Sequence, residues 1–231
     1  VMTADLFDLP EAHSPEAAEP IHLDEGAVIF PGMALPQAPA LLDATRSIVR
    51  QAPFRHLVTP GGHRMSVGMT ACGDYGWTSD RSGYRYTRTQ PDSAQPWPPM
   101  PDVFRALVLA ATERAGFDRP PLQSGLINLY RHGTRLSLHQ DRDEDAPDSP
   151  IVSVSLGVAA TFLWGGLTRE APVRRFRLSH GDVVVWGGPS RFVFHGIAPL
   201  PRMTHPATGE CRVNLTFRNV MSEANAALRE R

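Results

Sequence analysis

From Ser124 to about residue 219 the chain breaks into short runs of alternating polarity, each too brief for a helix and most ended by turn residues. This restricts the fold more than any other feature. Eight runs can be read, at 124–130, 135–140, 151–157, 160–164, 173–178, 182–186, 191–195 and 211–219. The turns between them include His132-Gly133, Gly165-Gly166, His180-Gly181 and Gly187-Gly188-Pro189. Eight antiparallel strands of this length predict a jelly roll, two sheets face to face.

Ahead of these runs the periodicity is mixed. Ala27-Val28-Ile29-Phe30 reads as a strand, and Ala40, Leu41, Leu42, Ile48 and Val49 as the apolar stripe of a helix near 37–51. A second helix is predicted from Asp102, its N-cap, through Val103, Leu107, Val108 and Ala111, stopping before Gly116. The Gly-, Tyr- and Pro-rich stretch 59–101 lies between them, with alternation at Met65, Val67 and Met69. It is too long for a plain connection and reads as functional. The class expected is therefore mainly β with flanking helices (α+β).

The last run carries chemistry. With a side-chain period of two, Arg212, Asn214, Thr216 and Arg218 share one face, while Val213, Leu215 and Phe217 turn to a core. Two guanidiniums and an amide on one face suit a carboxylate or two. Asn128 and Tyr130 share a face on the first run and can add hydrogen bonds to the same anion. His139 and Asp141, two apart at the end of Leu136-Ser-Leu138-His139, point the same way, and His195 follows four strands later. In an eight-strand jelly roll the second and seventh strands can lie side by side, which would bring His195 to that pair. Two imidazoles and one carboxylate on one face of an octahedral ion leave three positions open, the arrangement of oxygen-activating Fe(II). His180-Gly181-Asp182 has the same spacing but reads as turn chemistry before Val183-Val-Val-Trp186.

Residues 1–45 hold eight acids and no Lys or Arg; sixteen acids against 23 cations leave the remainder at +7, a balance that suits a polyanionic partner. There is no apolar run of membrane-spanning length, and no cation precedes Arg46 to serve as a secretory n-region. With only Cys72 and Cys211, a disulfide framework is excluded and a cytoplasmic monomer is the expectation.

These residues, in this order, resemble the AlkB family of Fe(II)- and 2-oxoglutarate-dependent dioxygenases. The likeness extends over Thr59-Pro-Gly-Gly62, Met65-Ser-Val67, Met69-Thr70, Gly76-Trp77-Thr78, Gly83-Tyr84, Pro96-Trp97-Pro98, Leu136-Ser-Leu-His139-Gln-Asp141, Ile151-Val-Ser-Val-Ser-Leu-Gly157, His180-Gly-Asp-Val-Val-Val-Trp186-Gly-Gly188 and Asn214-Leu-Thr-Phe-Arg218. It covers roughly residues 26–220 and is close to the family's bacterial DNA-repair branch. The resemblance implies a double-stranded β-helix with His139, Asp141 and His195 as iron ligands. It puts 2-oxoglutarate on Asn128, Tyr130, Arg212, Asn214 and Arg218, with Arg212 at the distal carboxylate and Arg218 supporting the iron-chelating end. A nucleotide-recognition lid maps onto 59–86: Trp77 stacks on the damaged base, Met69 lines the pocket, and Tyr84 and Tyr86 touch base or backbone. Arg169 reaches in from Gly165-Gly166-Leu167, and Asp143 lies near the alkylated base. Ala71, His63 and Trp164 depart from the family pattern at positions bearing on base preference.

The organisation expected is an acidic flexible leader over 1–25, helices and lid over 26–120, the catalytic core over 121–220 and a tail over 221–231. The activity implied is oxidative demethylation of 1-methyladenine or 3-methylcytosine in single- or double-stranded DNA. It consumes O2 and 2-oxoglutarate and releases formaldehyde. The same chemistry on RNA or tRNA is the nearest rival. A dioxygenase of a protein or small molecule fits the lid aromatics Trp77, Tyr84 and Tyr86 less well, and a non-catalytic binding module has no reason to keep His139, Asp141 and His195 matched.

Overall fold

A computed structural model of the protein describes residues 19–118, 121–146 and 148–222; the leader up to residue 18 and the tail from 223 lie outside the described residues. The strands and helices, in chain order, are β1 (Ile21–Asp24), β2 (Ala27–Phe30), α1 (Ala38–Gln51), β3 (Gly68–Gly73), β4 (Gly76–Asp80), β5 (Gly83–Thr87) and α2 (Asp102–Arg114). The second half follows with β6 (Ser124–Tyr130), β7 (Leu136–His139), β8 (Ile151–Gly157), β9 (Ala160–Trp164), β10 (Arg174–Leu178), β11 (Val183–Trp186), β12 (His195–Ile197) and β13 (Arg212–Arg218).

The eight strands from β6 onward divide evenly between two antiparallel sheets. β11-β8-β13-β6 form the middle of a seven-stranded sheet that β2 and β1 extend at one edge and β3 at the other. β10-β9-β12-β7 form the second sheet, and β4 and β5 make a separate hairpin. This is the double-stranded β-helix, reached because each run alternates strictly enough to give its sheet two different faces.

On the outer face of the large sheet, Val152, Val154, Leu156, Val213, Leu215 and Phe217 pack against Leu41, Ile48, Phe104, Leu107 and Val108 of the two helices. Phe104 meets Phe217 edge-on at 5.3 Å. The inner face at one end is apolar, with Ile29, Val184, Trp186, Phe162, Trp164 and Ile197 between the sheets. Further along, the alternation places Ser153, Arg212, Asn214, Thr216 and Arg218 on that same inner face, where they line a cavity of about 1050 Å³. The helices bury the reverse of these strands, so the polar residues have nowhere to face but the space between the sheets.

Three local expectations differ from what the fold does. The run expected at 191–195 is not a strand: Gly188–Ser190 form a 3-10 turn continued by Val193 N–H donating to Ser190 O, and the strand begins at His195. Pro189 supplies no ladder donor, and Arg191 is drawn inward to the carbonyls of Asp141 and Ser149. Residues 21–24, assigned to the leader, form β1, which turns through Gly26 to pair with β2 and buries Leu23. Asp102 stands inside the first turn of α2, after Pro101 at the N-cap.

Among the described residues no helix is long and apolar enough to cross a membrane.

Candidate active site

β12 pairs with β7 so that His195 lies directly opposite His139. Gly196 makes that approach possible, since a Cβ there would stand 2.6 Å from the Leu136 carbonyl oxygen. Asp141 follows β7 and turns its carboxylate into the same space, with Oδ1 3.6 Å from His139 Nε2 and Oδ2 3.9 Å from His195 Nε2. One ligand atom from each of the three lies within 4.8 Å of the others. His139 Nδ1 is 2.9 Å from Ser137 O and His195 Nδ1 is 3.0 Å from Val193 O. A carbonyl can only accept, so both rings carry their proton on Nδ1 and present the Nε2 lone pair inward.

Burial first, and then His139, push the His195 imidazole down to about 4, which keeps it neutral and able to ligate at pH 7. Burial works to raise the Asp141 carboxyl, but the Arg218 guanidinium and the two imidazoles outweigh it and hold it well below the usual carboxylate range. Two neutral nitrogens and one carboxylate form a donor set that fits a ferrous ion.

The two arginines of β13 are both buried, at 1% and 6% exposure, which rules out an exposed surface role for either. They are spent differently. Arg218 donates from Nη2 and Nε to Asp141 Oδ2, at 2.6 and 3.1 Å. Arg212 lies 4.9 Å over the Tyr130 ring and donates from Nη2 to Ser155 Oγ at 2.9 Å, while its Nε and Nη1 have no protein partner. Asn128 Oδ1, across the same cavity, also has none. A buried cation with two unspent donors is costly unless an anion meets it, and a carboxylate oxygen suits either donor. The cavity thus fits a dicarboxylate beside the metal triad. Asn214 lines it, but its amide donates to Ser153 Oγ and Val154 O and accepts from Asn128 and Thr216, so it orients Asn128.

The aromatic residues expected in a lid come together on the β4–β5 hairpin. Trp77 of β4 and Tyr84 of β5 stack at 5.5 Å with ring planes 15° apart, and Trp77 Nε1 donates to Asp143 Oδ2 at 2.8 Å. Tyr86, opposite Trp77 in register, donates to Glu144 Oε1 at 2.6 Å. Met69 is buried on β3 and lines the cavity. Arg169 lines it as well, held by the Leu138 carbonyl and the face of Phe194.

Arg85 is paired with Asp80 and Arg174 with Asp24, which leaves neither as a free surface cation. The cavity mouth instead carries Arg64, Arg135 and Arg142, which sequence reading passed over because isolated loop arginines carry no periodic signal. It also missed Glu144 and Arg191, both with side chains 2% exposed. A fully buried charge pair is invisible in a local pattern. His180 and Asp182 are turn residues as expected: His180 Nδ1 accepts from Gly157 N–H, and Asp182 accepts from Gly32 and Ser179 N–H.

Comparison with known proteins agrees with this geometry. Residues 26–218 match the model of the 2OG-Fe(II) oxygenase superfamily. The alpha-ketoglutarate-dependent dioxygenase AlkB of Salmonella typhimurium is 50% identical over 196 residues, 85% of this chain and 91% of that protein. The DNA N(6)-methyladenine demethylase ALKBH1C of Arabidopsis thaliana is 30% identical over 226 residues, 84% of this chain and 49% of that protein. Among solved structures, OsALKBH1 superposes with a TM-score of 0.75 at 27% identity, covering 87% of this chain and all of that one. The cofactors are Fe(II), 2-oxoglutarate and O2. The chain belongs to the AlkB family of Fe(II)- and 2-oxoglutarate-dependent dioxygenases.

Proposed function

We propose that this enzyme is an oxidative demethylase that repairs N-alkylated bases, 1-methyladenine and 3-methylcytosine, in DNA. The observation that carries the reading is the placement of a stacked aromatic pair, Trp77 and Tyr84, and the carboxylate of Asp143 along the cavity that holds the metal triad. A methyl group on a ring nitrogen makes the base cationic and blocks its pairing edge, so the lesion itself lowers the cost of extrusion from the stack. Trp77 takes the flipped ring by stacking, and Asp143 favours its positive charge. Arg64, Arg135, Arg142 and Arg169 at the mouth follow the phosphates. Residues 59–86, with β3, β4 and β5, serve as the nucleotide-recognition lid.

His139, Asp141 and His195 hold the iron, and Arg212, Tyr130 and Asn128 hold 2-oxoglutarate. When bound, iron and 2-oxoglutarate supply oxidation of a methyl C–H bond coupled to decarboxylation. The protein's part is to fix the ligand tautomers through the Ser137 and Val193 carbonyls, to anchor the dicarboxylate, and to orient the methyl group toward the triad. The hydroxylated methyl is a hemiaminal that releases formaldehyde and restores the base, so no side chain needs to act as nucleophile. We read the protein as acting as a monomer, and the two free thiols suit a cytoplasmic setting.

The test is anaerobic titration with Fe(II) and 2-oxoglutarate, then addition of matched 1-methyladenine DNA and RNA oligomers under air. Formaldehyde and succinate appearing in equal amounts with the DNA is the expected result. Succinate without formaldehyde from either polymer would remove the base-demethylase reading, and preference for the RNA oligomer would move the substrate.

A further inference from the structure

Asp141 lies beyond the end of β7, which stops at His139, so no sheet ladder fixes its backbone as the ladder between β7 and β12 fixes the two histidines. Something else must hold it. Its carboxylate is gripped by Arg218, and Asp145 N–H donates to the Val220 carbonyl at 2.8 Å, but neither bond holds the Asp141 carbonyl. That carbonyl is held by Arg191, in the turn just ahead of His195. Arg191 Nη1 donates to the Asp141 carbonyl at 2.8 Å, Nε donates to the Ser149 carbonyl at 3.1 Å, and Nη2 donates to Glu144 Oε2 at 3.0 Å. One guanidinium thus ties the start, middle and end of the segment that carries Asp141 to the segment that carries His195. The planar fork of Arg reaches three acceptors at fixed angles, which no other side chain can do.

Glu144 completes the arrangement. It is buried, it answers the charge of Arg191, and its Oε1 lies 3.4 Å from Arg218 Nε, so the two arginines and two carboxylates balance as a group. From this geometry we infer that Arg191, seated on Glu144, is a positioning residue for the metal centre: it sets the Asp141 backbone so that the three ligands converge. This rests on the reading of His139, Asp141 and His195 as the metal site. A purely structural salt bridge would stabilise the fold without setting metal affinity, and the two roles separate experimentally.

The experiment measures Mn(II) affinity by the electron paramagnetic resonance signal of the free ion, alongside thermal unfolding of the metal-free protein. Arg191→Lys keeps a positive charge for Glu144 but cannot span both carbonyls. The double variant Arg191→Met with Glu144→Gln removes both charges together, which limits the cost of a buried unpaired ion. Both are expected to bind Mn(II) about tenfold or more weaker than wild type, the usual scale for losing a partner that orients a ligand. Leu107→Ala, buried in α2 far along the outer face, is expected to lower the unfolding temperature while leaving Mn(II) affinity unchanged. If wild type does not bind Mn(II) through the three ligands, the metal-site reading fails and this inference with it. If wild type binds and either folded Arg191 variant binds as tightly, the inference alone is overturned.

Discussion

Replacing Arg212 by Met separates what the fold needs from what the site needs, because the two are opposed at this residue. The guanidinium is 1% exposed, and its protein compensation is one hydrogen bond to Ser155 Oγ and the face of Tyr130. Burial accordingly pulls its pKa below the ordinary arginine value. A bond from a charged donor contributes about 1.5–3 kcal/mol and a desolvated cation–π contact about 2 kcal/mol, against a desolvation penalty of several kcal/mol. The unliganded site is therefore near balance or unfavourable, and exchange of such buried charges for apolar side chains of similar volume is typically neutral to stabilising by about 1–4 kcal/mol. The metal-free, co-substrate-free Arg212→Met protein is expected to be as stable as wild type or more so. The two unspent donors, Nε and Nη1, are open to a carboxylate. Losing one such bond, about 1.5–3 kcal/mol, is expected to weaken 2-oxoglutarate binding by more than tenfold, up to about a hundredfold. Urea unfolding gives the first quantity, and calorimetric titration of 2-oxoglutarate into the Mn(II)-loaded protein gives the second. At a hundred times its dissociation constant the ligand should also stabilise wild type by about 2.7 kcal/mol and leave the variant unmoved. An unliganded variant less stable than wild type by more than about 1 kcal/mol, or an affinity within tenfold of wild type, would refute the reasoning.

Other perturbations follow from the same geometry. His139→Ala or Asp141→Ala is expected to abolish formaldehyde release while the circular dichroism spectrum is retained, and activity surviving in either would remove the metal assignment. Trp77→Ala should weaken binding of a lesion-bearing single strand by about 1–3 kcal/mol through lost stacking, measured by fluorescence anisotropy; unchanged binding would count against the stacking role. The metal-free protein should lose stability as the pH falls. The folded pKa of His195, about 4, lies below the unfolded value of about 6.5, so the unfolded chain takes up the proton first. That contribution, about 3 kcal/mol, is complete above pH 6.5 and lost by pH 4, and a flat urea-midpoint profile across that window would contradict the burial described here.

How much was legible in the sequence depends on whether a residue acts through a period or through a place. Arg212, Asn214, Thr216 and Arg218 were legible as one face because a strand's alternation is local, and they do share the inner face of β13. The register that sets His195 opposite His139 was legible as a topology but not as a boundary: the strand starts at His195 instead of ending there. The misplaced run over 191–195 has the same cause as the missed residue. Arg191-Phe-Val-Phe alternates like a strand, yet Arg191 serves a buried segment 50 residues away, and no window along the chain contains that partner. The pairing of Glu144 with Tyr86 is equally non-local, as is the neutralisation of Arg174 by Asp24.

The two arginines of β13 also explain why the site sits where it does. An inner face with two buried cations is stable only if each meets negative charge, and among the described residues the carboxylates that do so, Asp141 and Glu144, both lie on Arg218. That pairing has a chemical consequence. By holding Asp141 ionised and aimed, Arg218 keeps the carboxylate available as a ligand at any pH where the imidazoles are neutral. Arg212, six residues along the same face, is left with donors that only an added anion can satisfy. Charge compensation thus divides between a carboxylate supplied by the protein, which completes the metal set, and one supplied by the co-substrate. A dicarboxylate entering the cavity satisfies Arg212 and reaches the triad together, so its binding free energy is drawn from a cation the fold had already buried.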